Sequence, residues 1–160
     1  MRQLFLISAI CLMLASCGGG NTNSGGGNPY SQAGADNKTA GGNPSYDPQR
    51  GEGKFTHVDI NPKLDAALAA NGKKTFDVKC NACHKLNGEK LVGPGWQGVT
   101  SRHTAEWIMN FVTNTDAMIN KDPKAQAMLE LCMVRMPNQN LSDDDARALY
   151  EFMRQNDGVK

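Results

Sequence analysis

The sequence predicts an all-α fold of about four helices, and three observations carry that prediction. Apolar residues from Leu64 onward recur at helical spacing, no segment alternates apolar and polar residues with period two, and residues suited to capping helices precede the apolar runs. The predicted folded part is residues 54–160. Its 107 residues are enough for one small domain and too few for two. A domain of this size is marginal on burial alone, so a bound cofactor would help it.

In chain order, Asn61-Pro62 predicts a helix start with the proline at the first helical position, and Leu64, Leu68 and Phe76 continue the apolar pattern to about Cys80. The segment 88–101 is rich in glycine and contains Pro94, which predicts loop. Thr104 is the expected cap of a second helix with Trp107, Ile108, Phe111 and Val112 on its apolar face. Asp122-Pro123 caps a third, running to about Met133 with Ala127, Met128 and Leu131 inward, and Met136-Pro137 stops that segment. Ser142 with Asp145 resembles a capping box ahead of a last helix that carries Ala146, Leu149, Phe152 and Met153 on one face.

The segment ahead of the domain is of a different kind. Residues 1–17 begin with Arg2, run through an apolar stretch from Leu4 to Leu14 and end on small residues before Cys17, which fits a secretory signal. Leu14-Ala15-Ser16-Cys17 resembles the bacterial lipobox, which implies a signal peptide over 1–16 and a lipidated N-terminal Cys17. Eleven of the 17 glycines fall between Gly18 and Gly53, with asparagine, serine and three prolines, so 17–53 is predicted to be a lipidated tether. As a flexible coil, 36 residues span roughly 30–36 Å. The expected location is outside the cytoplasm, lipid-anchored to a bacterial membrane, in the periplasm or on the outer side of the cytoplasmic membrane. The formal net charge is +1. No strong basic excess is present, which argues against nucleic acid as the main partner.

The chemistry is concentrated at Cys80-Asn81-Ala82-Cys83-His84. C-x-x-C-H is the attachment motif for c-type haem: one helical turn puts both thiols on the same side, where they can add to two vinyl groups, and the adjacent His84 faces the iron. Three other uses compete. A thioredoxin-like pair needs a βαβ setting, which the sequence does not offer. Zinc needs further ligands, for which only Cys132, His57 and His103 remain. A Cys80–Cys83 disulfide would leave His84 without a role.

From about Leu64 to Arg154 the chain resembles a class I c-type cytochrome: a small cytochrome c fold around one covalent haem. Gly72-x-x-x-Phe76-x-x-x-Cys80 matches that family's first helix and Leu149-x-x-Phe152 its last. The resemblance implies that Gly72 lets the last helix approach closely. It implies that the Pro94 carbonyl accepts from the ring N–H of His84, and that Trp96, Arg102 and Trp107 line the haem pocket. Arg102 or Trp107 would then donate to a haem propionate. Three methionines, Met128, Met133 and Met136, are candidates for the sixth iron ligand. Met136-Pro137 resembles the family's Met-Pro pair before the last helix, which favours Met136, with Met133 next. His57 and His103 are expected at the surface and Cys132 as a buried thiol.

Iron closed by two protein ligands suits outer-sphere electron transfer, not substrate chemistry, so the expected role is electron carrier and not enzyme. The partners would be a quinol-oxidising complex or another cytochrome as donor and a terminal oxidase or reductase as acceptor. Six lysines against Asp65, Asp77 and Glu89 between Lys63 and Lys90 predict a basic rim around the haem edge. The alternative is a haem peroxidase or gas-binding haem sensor whose distal methionine leaves.

Overall fold

The computed structural model describes residues 46–160. The signal segment, Cys11, Cys17 and the tether up to residue 45 lie outside them. Six helices follow in order: α1 (Ala66–Lys79), α2 (Val99–Arg102), α3 (Ala105–Thr113), α4 (Thr115–Lys121), α5 (Pro123–Cys132) and α6 (Asp143–Asn156). Among the described residues there is no strand, only an isolated bridge between His84 and Lys90, and no helix long and apolar enough to cross a membrane.

Local side-chain chemistry sets most helix starts. Thr104 accepts from the Trp107 N–H, Asp122 from the Ala125 N–H, and Ser142 with Asp145 completes a reciprocal capping box. The first helix begins later than Asn61-Pro62 predicts. Asp65 is its cap, accepting from the Leu68 N–H at 2.9 Å, while the Asn61 side chain accepts only from the Lys63 N–H in a local turn. Two helices beyond the expected four are short: α2 falls at the end of the segment read as loop, and α4 follows α3 after one residue.

The main packing is α1 against α6, and α3 also rests on α6. A Cβ at Gly72 would stand 2.0 Å from the Ala148 carbonyl oxygen, so no larger residue fits this crossing. Phe76 continues the contact: its ring meets Trp96 edge-on at 4.8 Å and Phe152 at 5.6 Å. The core then runs through Trp107, Ile108, Met109, Met118 and Leu149. Glu151, fully buried on α6, accepts from Arg147, Arg154 and the Asp65 N–H. Arg154 also donates to the Asn61 and Pro62 carbonyls, so one buried ion pair ties the entry of α1 to α6.

The folded unit reaches further back than residue 54. Asn110, fully buried on α3, donates to the Arg50 and Phe55 carbonyls and accepts from the Phe55 N–H, each at 2.9 Å. Composition alone groups Gly51 and Gly53 with the tether. Both are packed instead, Gly51 against Met118 and Trp107 and Gly53 directly on the Asn110 side chain, where a Cβ would collide. The Tyr46 hydroxyl bonds to Asp122, and Lys124 Nζ donates to the Pro48 carbonyl at 2.9 Å. Residues 46–53 therefore form a strap over α3, α4 and α5.

Candidate functional site

The last turn of α1 runs into the C-x-x-C-H segment without a break. Cys80 N–H donates to the Phe76 carbonyl, and the Cys83 and His84 N–H groups both return to the Cys80 carbonyl at 3.0 and 2.9 Å. That turn is the geometry the motif requires. Cys80 is buried and Cys83 half-buried, and neither is in a disulfide. Burial pushes the Cys80 thiol up to about 11, against a smaller opposing pull from Lys79.

The chain after His84 is pinned by its own backbone. Val92 and Gly93 N–H groups both donate to the Cys83 carbonyl, and Trp96 N–H donates to that of Lys85. This places Pro94 beneath the imidazole, where its carbonyl lies 2.9 Å from His84 Nδ1. The expected bond is present; it fixes Nδ1 as the N–H and leaves Nε2 as the lone-pair nitrogen. Burial lowers the pKa of His84 below the ordinary imidazole value, with the Pro94 bond opposing. Gly93 is held by the same ring: a Cβ there would sit 2.4 Å from His84 Cε1.

His84 opens onto a cavity of about 400 Å³ bordered by Pro94, Trp96, Val99, Arg102, Trp107, Ile108, Phe111, Met128, Leu131, Met136 and Met153. A smaller cavity of about 70 Å³ adjoins Cys83, His84, Phe111, Met128, Cys132 and Met136. An apolar-lined crevice with His84 on its edge, the Cys83 thiol on the adjoining smaller cavity, Cys80 one turn away in the same segment, and the basic side chains Arg102 and Lys124 on its border fits a covalently held haem. Ala127 and Leu131 are exposed by area, yet both border the large cavity, so the expected inward face of α5 is turned toward this crevice and not toward a packed core.

Several expectations need correction. Trp107 lines the cavity, but its indole N–H donates to the buried Asp122 carboxylate at 2.9 Å, so it is not free for a propionate. Arg102 does line the cavity, its guanidinium bonding to the Gly95 and Gln97 carbonyls. Met133 caps α5 in a left-handed conformation and is 85% exposed, which removes it as a ligand candidate. Cys132 is half-buried beside the smaller cavity and not fully buried. His57 is exposed as expected, bonded to Asp59. His103 is not at the surface: its ring stacks on Trp107 at 4.0 Å and borders the large cavity. Sequence reasoning also missed Asn110, whose only signal was a polar residue inside the run Ile108-Met109-Asn110-Phe111.

Comparison with known proteins agrees with this geometry. The solved cytochrome c of Rhodothermus marinus has a TM-score of 0.64 and 34% identity, covering 66% of this chain and 90% of that one. An engineered form of that cytochrome bound to a carbene intermediate gives 0.60 and 33% over the same shares. The cytochrome c-type cyt cy of Rhodobacter capsulatus is 39% identical over 49 residues, 31% of this chain and only 25% of that protein's length. A cytochrome c-553-like protein of Synechocystis sp. is 26% identical over 84 residues, 48% of this chain and 80% of that one. The cytochrome c family pattern itself matches residues 69–157, more than half the chain and a stretch that contains the cavity residues from Cys83 to Met153. The chain therefore belongs to the cytochrome c family, with haem c bound covalently through Cys80 and Cys83 and haem-based electron transfer as its chemistry.

Proposed function

We propose that this protein is a membrane-tethered monohaem electron carrier whose iron is held by His84 on one face and Met136 on the other. The observation that carries the reading is the placement of these two side chains. Both border both cavities, His84 with Nδ1 committed to Pro94 and Nε2 uncommitted, and Met136 on an irregular segment that can adjust over the opposite face. Met128 borders the same space from within α5 and is read as packing. When bound, the haem supplies one-electron iron chemistry, and a thioether ligand raises its potential. His84 and Met136 would hold the iron, and the apolar residues bordering the crevice would keep water from it.

The redox partner would meet the exposed edge beside Cys83. Leu91, Val92, Leu131, Met133 and Val134 form an exposed apolar surface there. Lys90, whose Nζ caps the Leu131 carbonyl, stands within it. Lys73 and Lys85 are paired with Asp77 and Glu89, so steering by the basic rim is modest. The donor would be a quinol-oxidising complex or another cytochrome, the acceptor a terminal oxidase or reductase. The lipobox-like Leu14–Cys17 and the glycine-rich stretch after it support lipid anchoring on the outer side of a bacterial membrane.

A redox titration followed by spectroscopy tests the function. The expected result is a low-spin, six-coordinate spectrum that does not change with CO. Rapid CO binding by the native protein would instead favour a gas-binding or peroxidase role. The anchor is tested by Cys17→Ser, which should release the protein from the membrane fraction; retention there would exclude lipid as the attachment.

A further inference from the structure

Residues 46–53 lie outside the stretch 69–157 that the cytochrome c family pattern matches, so the family assigns them no role. They are nevertheless bonded almost residue by residue. Tyr46 donates to Asp122, and the Pro48, Gln49 and Arg50 carbonyls accept from Lys124, Thr104 and Asn110. The Glu52 carbonyl accepts from Asn114 at 3.1 Å, and its carboxylate pairs with Lys121 at 3.0 Å. The surface beneath is built for this segment. Asn110 is fully buried, and its side chain bonds only to residues 50–55. Lifting the strap away would leave that buried amide without partners.

The strap and the crevice share a wall one side chain thick. A Cβ at Gly51 would stand 3.3 Å from the Trp107 ring, and that buried ring borders the large cavity. The indole N–H and the Tyr46 hydroxyl end on the same oxygen of Asp122, so the strap helps to set where the indole lies. Gln49 itself reaches the border of the cavity. Burial is one of the levers by which a protein sets a haem's potential. Fe(III) carries one positive charge more than Fe(II), and a dry surrounding disfavours the more charged form.

We propose that residues 46–53 are a redox-linked cover of the crevice: docked on α3, α4 and α5 they keep water from the Trp107 wall and raise the reduction potential, and the strap is in turn held more tightly in the reduced protein. This rests on haem c filling the crevice. Tyr46 and Gly53 act as positioning residues, Tyr46 through Asp122 and Gly53 by letting the chain lie directly on Asn110. The second half of the proposal follows from the first by linkage. If docking favours Fe(II) over Fe(III) by a given factor, reduction favours docking over release by the same factor. Each tenfold in that factor is about 59 mV for a one-electron couple. The strap is also where the N-terminal segment enters the domain, so the state of the iron is felt at the root of that segment.

The test is amide hydrogen exchange of the full-length holoprotein in each oxidation state, together with its reduction potential. The Glu52 and Phe55 amides, bonded to Met118 and Asn110, report release of the strap, and amides of α6 serve as the reference. The strap amides should exchange faster in the ferric protein, by a larger factor than those of α6. Gly53→Ala drives a methyl into Asn110, and Tyr46→Phe removes the hydroxyl from Asp122. Both should keep the low-spin spectrum and lower the potential, Gly53→Ala by more. Equal exchange of the strap amides in the two oxidation states of the native protein would overturn the proposal. So would a Gly53→Ala protein whose strap exchanges freely at an unchanged potential. The exchange measurement uses only the native protein, so it decides the matter even if a variant does not fold. Failure of the haem reading itself would show separately, as absence of bound haem in the wild type.

Discussion

The two faces of the crevice are held by different means. On the histidine side, residues 80–96 are fixed by backbone-to-backbone bonds: Cys83 to Cys80, Val92 and Gly93 to Cys83, Trp96 to Lys85. On the methionine side, residues 134–141 make no such bond among the described residues. Side chains hold that segment instead, chiefly Arg135 on Asp116 and Asn120, and Lys79 on the Gln139 carbonyl. The histidine side is determined by the chain's own path, so its geometry survives most side-chain changes. The methionine side depends on a few exposed contacts, and its ligand is correspondingly the easier to displace.

The largest effect should come from breaking the histidine side at its chemistry. Cys80→Ser, Cys83→Ser or His84→Ala should prevent stable holoprotein formation, seen as loss of haem staining in the purified protein. Glu151→Gln strikes both sides alike, because it leaves Arg154 buried without its counter-charge; a loss of about 3–5 kcal/mol is expected by denaturant titration. Burial favours the neutral form of Glu151, but its bonds from the Asp65 N–H, Arg147 and Arg154 outweigh that and lower its pKa. Its contribution is therefore complete above the ordinary carboxylate range and lost as pH falls through the lower folded value. The variant should show a flatter acid limb than the wild type.

Smaller changes separate the two faces. Gly93→Ala pushes a methyl into the His84 ring and should disturb the low-spin spectrum while haem stays covalently attached. Met136→Ala should lower the potential, remove the ferric thioether band and admit CO, with little loss of fold. If Met128→Ala loses that band and Met136→Ala keeps it, the ligand assignment is wrong. The smallest effect is expected from Arg135→Ala. Its partners are exposed, so stability should fall by only about 0.2–1 kcal/mol, in a salt-dependent way, yet the variant should bind CO slowly where the native protein does not, as the methionine segment loosens.

Which parts were legible in the sequence follows from how local their causes are. Thr104, Asp122 and Ser142 announce helix starts because each cap is satisfied within three residues. The Cys80–His84 motif is legible for the same reason, and Pro94 through the resemblance it carries. The start of α1 was misplaced because two residues, Asn61 and Asp65, both offer capping chemistry, and the choice is made by the distant Glu151, which takes the Asp65 N–H. The α4 helix was missed because its cap, Asn114, makes no side-chain bond to its first turn. His103 looked like a surface residue because nothing in its neighbours along the chain reveals Trp107 stacked beneath it. Composition assigned Gly51 and Gly53 to the tether, since a glycine required by close packing and one in a flexible linker look identical in one sequence.

The strap has a practical bearing on how the domain is to be cut out of the longer chain. A fragment begun at Lys54, where glycine content alone would place the boundary, discards the backbone carbonyl of Arg50 that Asn110 bonds. It also discards the Tyr46 hydroxyl that shares Asp122 with Trp107. Such a fragment would expose one wall of the crevice to water and to proteases. A fragment begun at Tyr46 keeps that wall covered and is the unit to express.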